Sequence, residues 1–134
     1  GCSIAHYFDR EGEAAFRDLE SKTLAETLEL RGRSAVIATG GGIVLRAENR
    51  AVLRSNAYTV YLHAEPEQLL ARLKNDRSRP LLQNTHLPDK LRSLYAQRHK
   101  LYQEVAQCQV DAVHHSPQTV AEQILARYQT TKKA

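Results

Sequence analysis

Along the chain, stretches with an apolar residue every three or four positions alternate with short runs in which apolar residues are continuous. Glu11 to about Leu30 shows the first pattern. Phe16, Leu19, Leu24 and Leu28 share a broad arc of one helix. Arg31-Gly32 closes it, with glycine in the usual place past a helix end. Ala35–Thr39, Ala-Val-Ile-Ala-Thr, shows the second pattern, with the length and branching of a strand buried on both faces. The spacing then predicts a short helix over Ala47–Asn56 and a buried strand over Thr59–His63. Glu65–Lys74 follows as a helix, opened by Glu-Pro-Glu at its positive end. Asn75–Pro88 has no helical period and reads as a loop, long enough to suggest a functional one. Asp89 to about Gln107 is a long helix with a stripe of Leu91, Leu94, Tyr95, Leu101, Tyr102 and Val105. Gln109–Val113 is a third strand. Ser116-Pro117 supplies a cap and a first helical residue for a last helix carrying Val120, Ile124, Leu125 and Tyr128.

Strands that alternate with helices argue for an α/β fold with a parallel sheet. Ligands of such sheets bind beyond the carboxyl ends of the strands. Gly40-Gly41-Gly42 follows Ala35–Thr39 at such an end. Three glycines in a row are either a plain turn or a place where a ligand approaches the backbone. One or two would suffice for the turn, and missing Cβ atoms let exposed N–H groups face an anion.

Composition narrows the picture modestly. A chain of 134 residues with 42% hydrophobic and 25% charged residues suits one globular domain. No apolar run reaches membrane-spanning length, and the N-terminus as it stands has no signal-peptide pattern. A net charge of +4 fits an anionic small molecule and, equally, weak nucleic-acid affinity. Cys2 and Cys108 are far apart and read as two reduced thiols of a cytosolic protein. His114-His115 would point to opposite faces of a strand, and no metal-site spacing occurs.

Some arginines are out of place. Arg98 lies four residues after Leu94 and three before Leu101, inside an apolar stripe. It is either paired in the core or held for an anion, since an isolated buried charge is very costly. Arg17 falls on the arc of Leu24 and Leu28, either as an edge arginine facing solvent or as a second anion contact. Arg77 and Arg79 sit in Asn-Asp-Arg-Ser-Arg-Pro-Leu-Leu, either a solvated loop or a lid that delivers a cation. Arginine suits bidentate contacts to carboxylate or phosphate. The residues alone reach an α/β domain with an anionic ligand, and no reaction.

Four segments in this order and spacing, EGEAAFRDLE, VIATGGGIVL, NDRSRPLL and QRHKLYQEVA, closely resemble shikimate kinase over essentially the whole chain. The resemblance implies a small P-loop kinase of the nucleoside-monophosphate-kinase type, a three-layer parallel sheet of order 2-3-1-4-5 with helices on both faces. It implies transfer of the ATP γ-phosphate to the 3-hydroxyl of shikimate with Mg²⁺, in aromatic amino acid biosynthesis. Arg17 and Arg98 match the carboxylate-binding arginines. Gly41, flanked by Gly40 and Gly42, matches the glycine whose backbone contacts the shikimate hydroxyls. Arg79 matches the lid arginine on the ATP phosphates, and Arg72 a position that packs on adenine. His115 and Pro117 fall in the adenine-flanking loop. A cytoplasmic monomer is implied, with no nucleic-acid or membrane partner.

The same family opens with a strand, a G-x-x-x-x-G-K-[ST] loop, a helix and a strand ending in Asp-x-Asp, about one βαβ unit. None of these occurs in the chain, which holds no Gly-Lys-Ser or Gly-Lys-Thr and no metal ligand of that kind. Strands 1 and 2 of the family order are thus expected to be absent, and 1–134 to be a single kinase domain incomplete at its N-terminus, with 75–88 its mobile lid loop. This chain alone is expected neither to fold stably nor to be active, and the parent protein to do both. Competing expectations are a related small-molecule kinase such as a gluconate kinase, a non-catalytic ligand-binding relative, and a nucleic-acid module supported only by a pI of about 9.2.

Overall fold

In the computed structural model, which describes residues 3–31, 35–74 and 86–133, Ser3 opens the first helix by accepting the His6 N–H at 3.1 Å. That helix, α1 (Ile4–Glu11), ends at Gly12, whose φ of +90° only glycine adopts readily. The chain continues as α2 (Glu13–Arg31), and the rings of Phe8 and Phe16 meet across the bend at 5.7 Å. The periodicity of the sequence gives one helix from Glu11; the structure has two. Ser3 followed by Ile4, Tyr7 and Phe8 was a readable signal for the first. Gly32, expected to close α2, lies outside the described residues.

The chain divides into two compact units, Gly1–Ala57 and Tyr58–Ala134. In the first, the apolar run 35–39 is not a strand. It has no ladder partner among the described residues, and Val36 is fully exposed. The run signals a segment suited to burial, whereas a strand also needs a second backbone to pair with. Gly41–Leu45 then forms a 3₁₀ turn, and α3 (Ala47–Asn56) follows with the bounds the sequence predicts. Leu24, Ile43, Val44 and Leu53 form this unit's buried apolar set. Two side chains of α3 fix the turn's carbonyls: Asn49 donates to Ile43 O at 3.0 Å and Arg50 to Val44 O at 2.7 Å. Asn49 is itself buried, so this bond satisfies a polar group with little access to water.

The second unit has the expected parallel sheet in two strands, β1 (Val60–His63) and β2 (Cys108–Asp111), with Val60 opposite Cys108 and His63 opposite Asp111. Between them run α4 (Pro66–Lys74) and α5 (Leu87–Val105), and α6 (Pro117–Lys133) follows β2. Ser116 caps α6 by accepting the Thr119 N–H at 3.1 Å, as its sequence predicts. One sheet face, with Val60, Cys108 and Val110, packs on Val120 and Ile124 of α6. The opposite face, with Tyr61 and His63, packs on α5 through Tyr95 and His99. The three-layer, two-sided arrangement is therefore present in this unit. Leu125, expected on the apolar stripe of α6, is more than half exposed. α5 starts at Leu87 instead of Asp89, since Pro88 fits a first helical turn. The expected lid 75–88 lies outside the described residues except for 86–88, which open this helix.

Candidate functional site

The glycine turn lies in the first unit, after the run 35–39. None of its glycines has a positive φ, so the backbone there needs no glycine for its conformation. Space is the constraint. A Cβ on Gly42, which is buried, would stand 2.6 Å from Cζ and Nη2 of Arg17. Arg46, just past the turn, ties it to α2 by donating to Asp18 Oδ1 at 2.7 Å. The sequence thus delivers the guanidinium of Arg17 against a backbone stripped of side chains.

Arg17 does not face solvent as an edge arginine. Its side chain is 17% exposed, and Nη1 donates to Glu20 Oε1 at 2.9 Å, with Glu13 at 3.8 Å. Its guanidinium lies 5.2 Å from the centroid of Phe16. Arg17 Nε and Ser21 Oγ are buried without hydrogen-bond partners. Two orphaned polar atoms one helical turn apart, beside a cleared backbone, are an incomplete hydrogen-bond set of the kind a ligand completes. Glu20 and Ser21 were not singled out in the sequence, although the i, i+3 spacing of Arg17 and Glu20 was a readable pairing signal.

In the second unit Arg98 and Arg72 line one cleft of about 300 Å³ with Tyr61, Leu69, Tyr95 and Val113. Arg98 Nε is buried and unpartnered, so the core-paired reading of this residue finds no support at that atom. Tyr61 keeps its proton up to about pH 12. Burial is the main cause, and the neighbouring Tyr95, Tyr102 and Glu65 add to it. His115 and Pro117 are exposed and are not among the residues lining this cleft. Arg79 lies outside the described residues.

The loop after β2 is built on Asp111. Its carboxylate accepts the Val113 and His114 backbone N–H groups at 2.8 and 3.1 Å and faces His114 Nδ1. The His114 contact, then the backbone donors, hold this carboxyl well below the usual range. Its stabilising effect is full above the unfolded value, about 4, and fades as pH falls towards the lower folded value. Asp111→Asn should therefore lower Tm at pH 7. The gap to wild type should narrow below about pH 4. Circular dichroism melts across pH 2–7 measure this, and a gap independent of pH would refute the charge-based account.

A family model described as shikimate kinase matches residues 1–129. The chain belongs to the shikimate kinase family. Its relatives include shikimate kinases of Paracidovorax citrulli, 48% identical over 79% of this chain and 58% of that protein, and of Pseudomonas entomophila, 43% identical over 96% and 74%. This chain thus spans well under the full length of the family members it matches. Among solved structures, a shikimate kinase from Acinetobacter baumannii in complex with shikimate superposes with a TM-score of 0.82 at 36% identity, covering 98% of this chain and 73% of the other. A shikimate kinase from Aquifex aeolicus gives 0.79 at 32% identity, covering 98% and 75%. The P-loop kinase fold of the family is therefore the fold of this chain. No helix among the described residues is long and apolar enough to cross a membrane.

Proposed function

We propose that this protein transfers the γ-phosphate of ATP to the 3-hydroxyl of shikimate, a step of aromatic amino acid biosynthesis. The observation that carries the reading is Arg17 held against the side-chain-free backbone of Gly42. In a family whose solved members include one in complex with shikimate, a guanidinium packed on Gly42 beside the exposed backbone of Gly40 and Gly41 suits a small carboxylate bearing several hydroxyls. Arg17 and Arg98 take the carboxylate, and the backbone at Gly40, Gly41 and Gly42 meets the ring hydroxyls. Arg79 neutralises charge on the transferring phosphoryl group, the part of phosphoryl transfer that a protein mainly supplies.

The described residues suit the base of ATP. The exposed guanidinium of Arg72 and the apolar Leu69 and Val113 share one cleft, a stacking surface for adenine. His115, just before α6, and Pro117, its first residue, are exposed outside the lining of this cleft and would flank the base from beyond it. Among the described residues no group of three His, Cys, Asp or Glu could hold a metal. Mg²⁺ in this reading rides on the phosphates of ATP and neutralises their charge. The protein acts as a cytoplasmic monomer, 1–134 belong to one kinase domain, and 75–88 form its lid.

A coupled ADP-release assay with shikimate and with gluconate tests the reading. Turnover with shikimate supports it. Turnover with gluconate alone, or shikimate binding without turnover, overturns it. In the same assay Arg79→Lys should lower kcat by about tenfold, because an ammonium keeps the charge but loses the planar fork. The KM for shikimate should stay within about twofold, since Arg79 acts on the phosphates. A rise in KM with kcat unchanged would remove Arg79 from that role.

A further inference from the structure

Only the two ends of α5, at Leu87 and Val105, are buried apolar anchors. The middle of the helix, which carries Arg98, meets β1 through polar rings. Tyr61 and His63, two apart on β1, point to one face of the sheet. Tyr95, His99 and Tyr102 share one face of α5. The rings pair reciprocally. The Tyr61 hydroxyl and His99 Nδ1 are 2.9 Å apart, as are His63 Nε2 and the Tyr95 hydroxyl. Tyr95 stacks on His99 with centroids 4.5 Å apart and planes 16° from parallel. Tyr102 closes on Tyr61 at 4.9 Å. Arg98 lies between these rings in sequence and opens into the cleft that Tyr61, Tyr95 and Tyr102 line.

Apolar packing tolerates small rotations and slides of a helix, whereas hydrogen bonds weaken steeply once misaligned. Two such bonds from one strand to one helical turn fix that turn's rotation and its height. Nothing among the described residues holds Arg98 Nε by hydrogen bonding. Its placement therefore rests on the helix that carries it.

We infer that Tyr61 and His99, supported by His63 and Tyr95, are positioning residues that set Arg98 for its anionic ligand. The inference deepens the proposed function and rests on it. In this inference Tyr61 donates its O–H to a bare Nδ1, and the His99 ring proton is then on Nε2. His99 is not among the residues lining the cleft, and the pair acts through Arg98.

The test uses Tyr61→Phe, His99→Leu and His99→Asn in the shikimate assay, with ¹⁵N spectra of the His99 ring and of Arg98 Nε–H. Tyr61→Phe and His99→Leu should each raise the KM for shikimate about five- to tenfold with kcat within about twofold, as expected for loss of one hydrogen bond's worth of positioning. The Arg98 Nε–H signal should broaden in both. His99→Asn, whose amide oxygen stands near the position of Nδ1, should recover wild-type KM within about twofold. In wild type, Nδ1 of His99 should show the shift of an unprotonated nitrogen, and Tyr61→Phe should move it. Unchanged KM and an unchanged Arg98 signal in both variants would overturn the inference. So would a Tyr61→Phe variant that does not fold, since the pair would then be structural. Wild-type protein that neither binds nor turns over shikimate would overturn the proposed function instead, and the nitrogen spectra would still decide the positioning role.

Discussion

Arg98→Ala should raise the KM for shikimate by about 10²-fold or more while kcat stays within about fivefold. Truncating one partner of a desolvated charge pair costs about 2–5 kcal/mol, and each 1.4 kcal/mol is tenfold in affinity. The loss falls on substrate and transition state alike, because the carboxylate is remote from the transferring phosphate, and uniform losses of that kind appear in KM. Stability should respond oppositely to what a core-paired arginine would show. Nε is already buried without a partner among the described residues, so alanine removes an unsatisfied donor. Melting and steady-state kinetics on one preparation check both. A fall of Tm by ten degrees or more with unchanged KM would make Arg98 a structural residue.

Gly42→Ala should lower kcat/KM for shikimate by about 10²-fold and leave the fold intact. Alanine suits the backbone, which has no positive φ there. Its methyl group, however, claims the space of the Arg17 guanidinium. The guanidinium is the far end of a flexible side chain, so it moves and the turn stays. A misplacement of about 1 Å at a positioning group can cost about 10²-fold. The double variant with Arg17→Ala separates this route from any other. If methyl and guanidinium compete for one place, the second substitution should add little to the first, which is the non-additivity of residues in contact. Full additivity would show that Gly42 acts independently of Arg17.

The two arginines were readable from the sequence because a charge on an apolar stripe violates its own helix pattern. Arg17 and Arg98 both proved half-buried, as that violation requires. The α3 helix was readable to the residue because its start and stop are local. Ala35–Thr39 was not, since its period describes the segment and its pairing depends on another one. The Tyr–His contacts fail to show for a related reason. Tyr61 and His63 are legible as one strand face, and Tyr95, His99 and Tyr102 as one helix face. Which face meets which is set by the crossover between them. Glu20 is a different kind of miss, since its spacing from Arg17 was available and only its burial was not.

Glu20 also bears on selectivity. A half-buried guanidinium that already holds a carboxylate 2.9 Å away carries its own counter-ion. Its rotamer is chosen before a ligand arrives, so little ordering remains for the ligand to impose. A simple inorganic anion must compete with that resident carboxylate using charge alone. A hydroxylated ring acid competes with charge and with contacts along the glycine backbone together. Under the proposed function the pairing would work as a threshold: it would discount every anion by the same amount, and only one with further contacts to offer would rise above it.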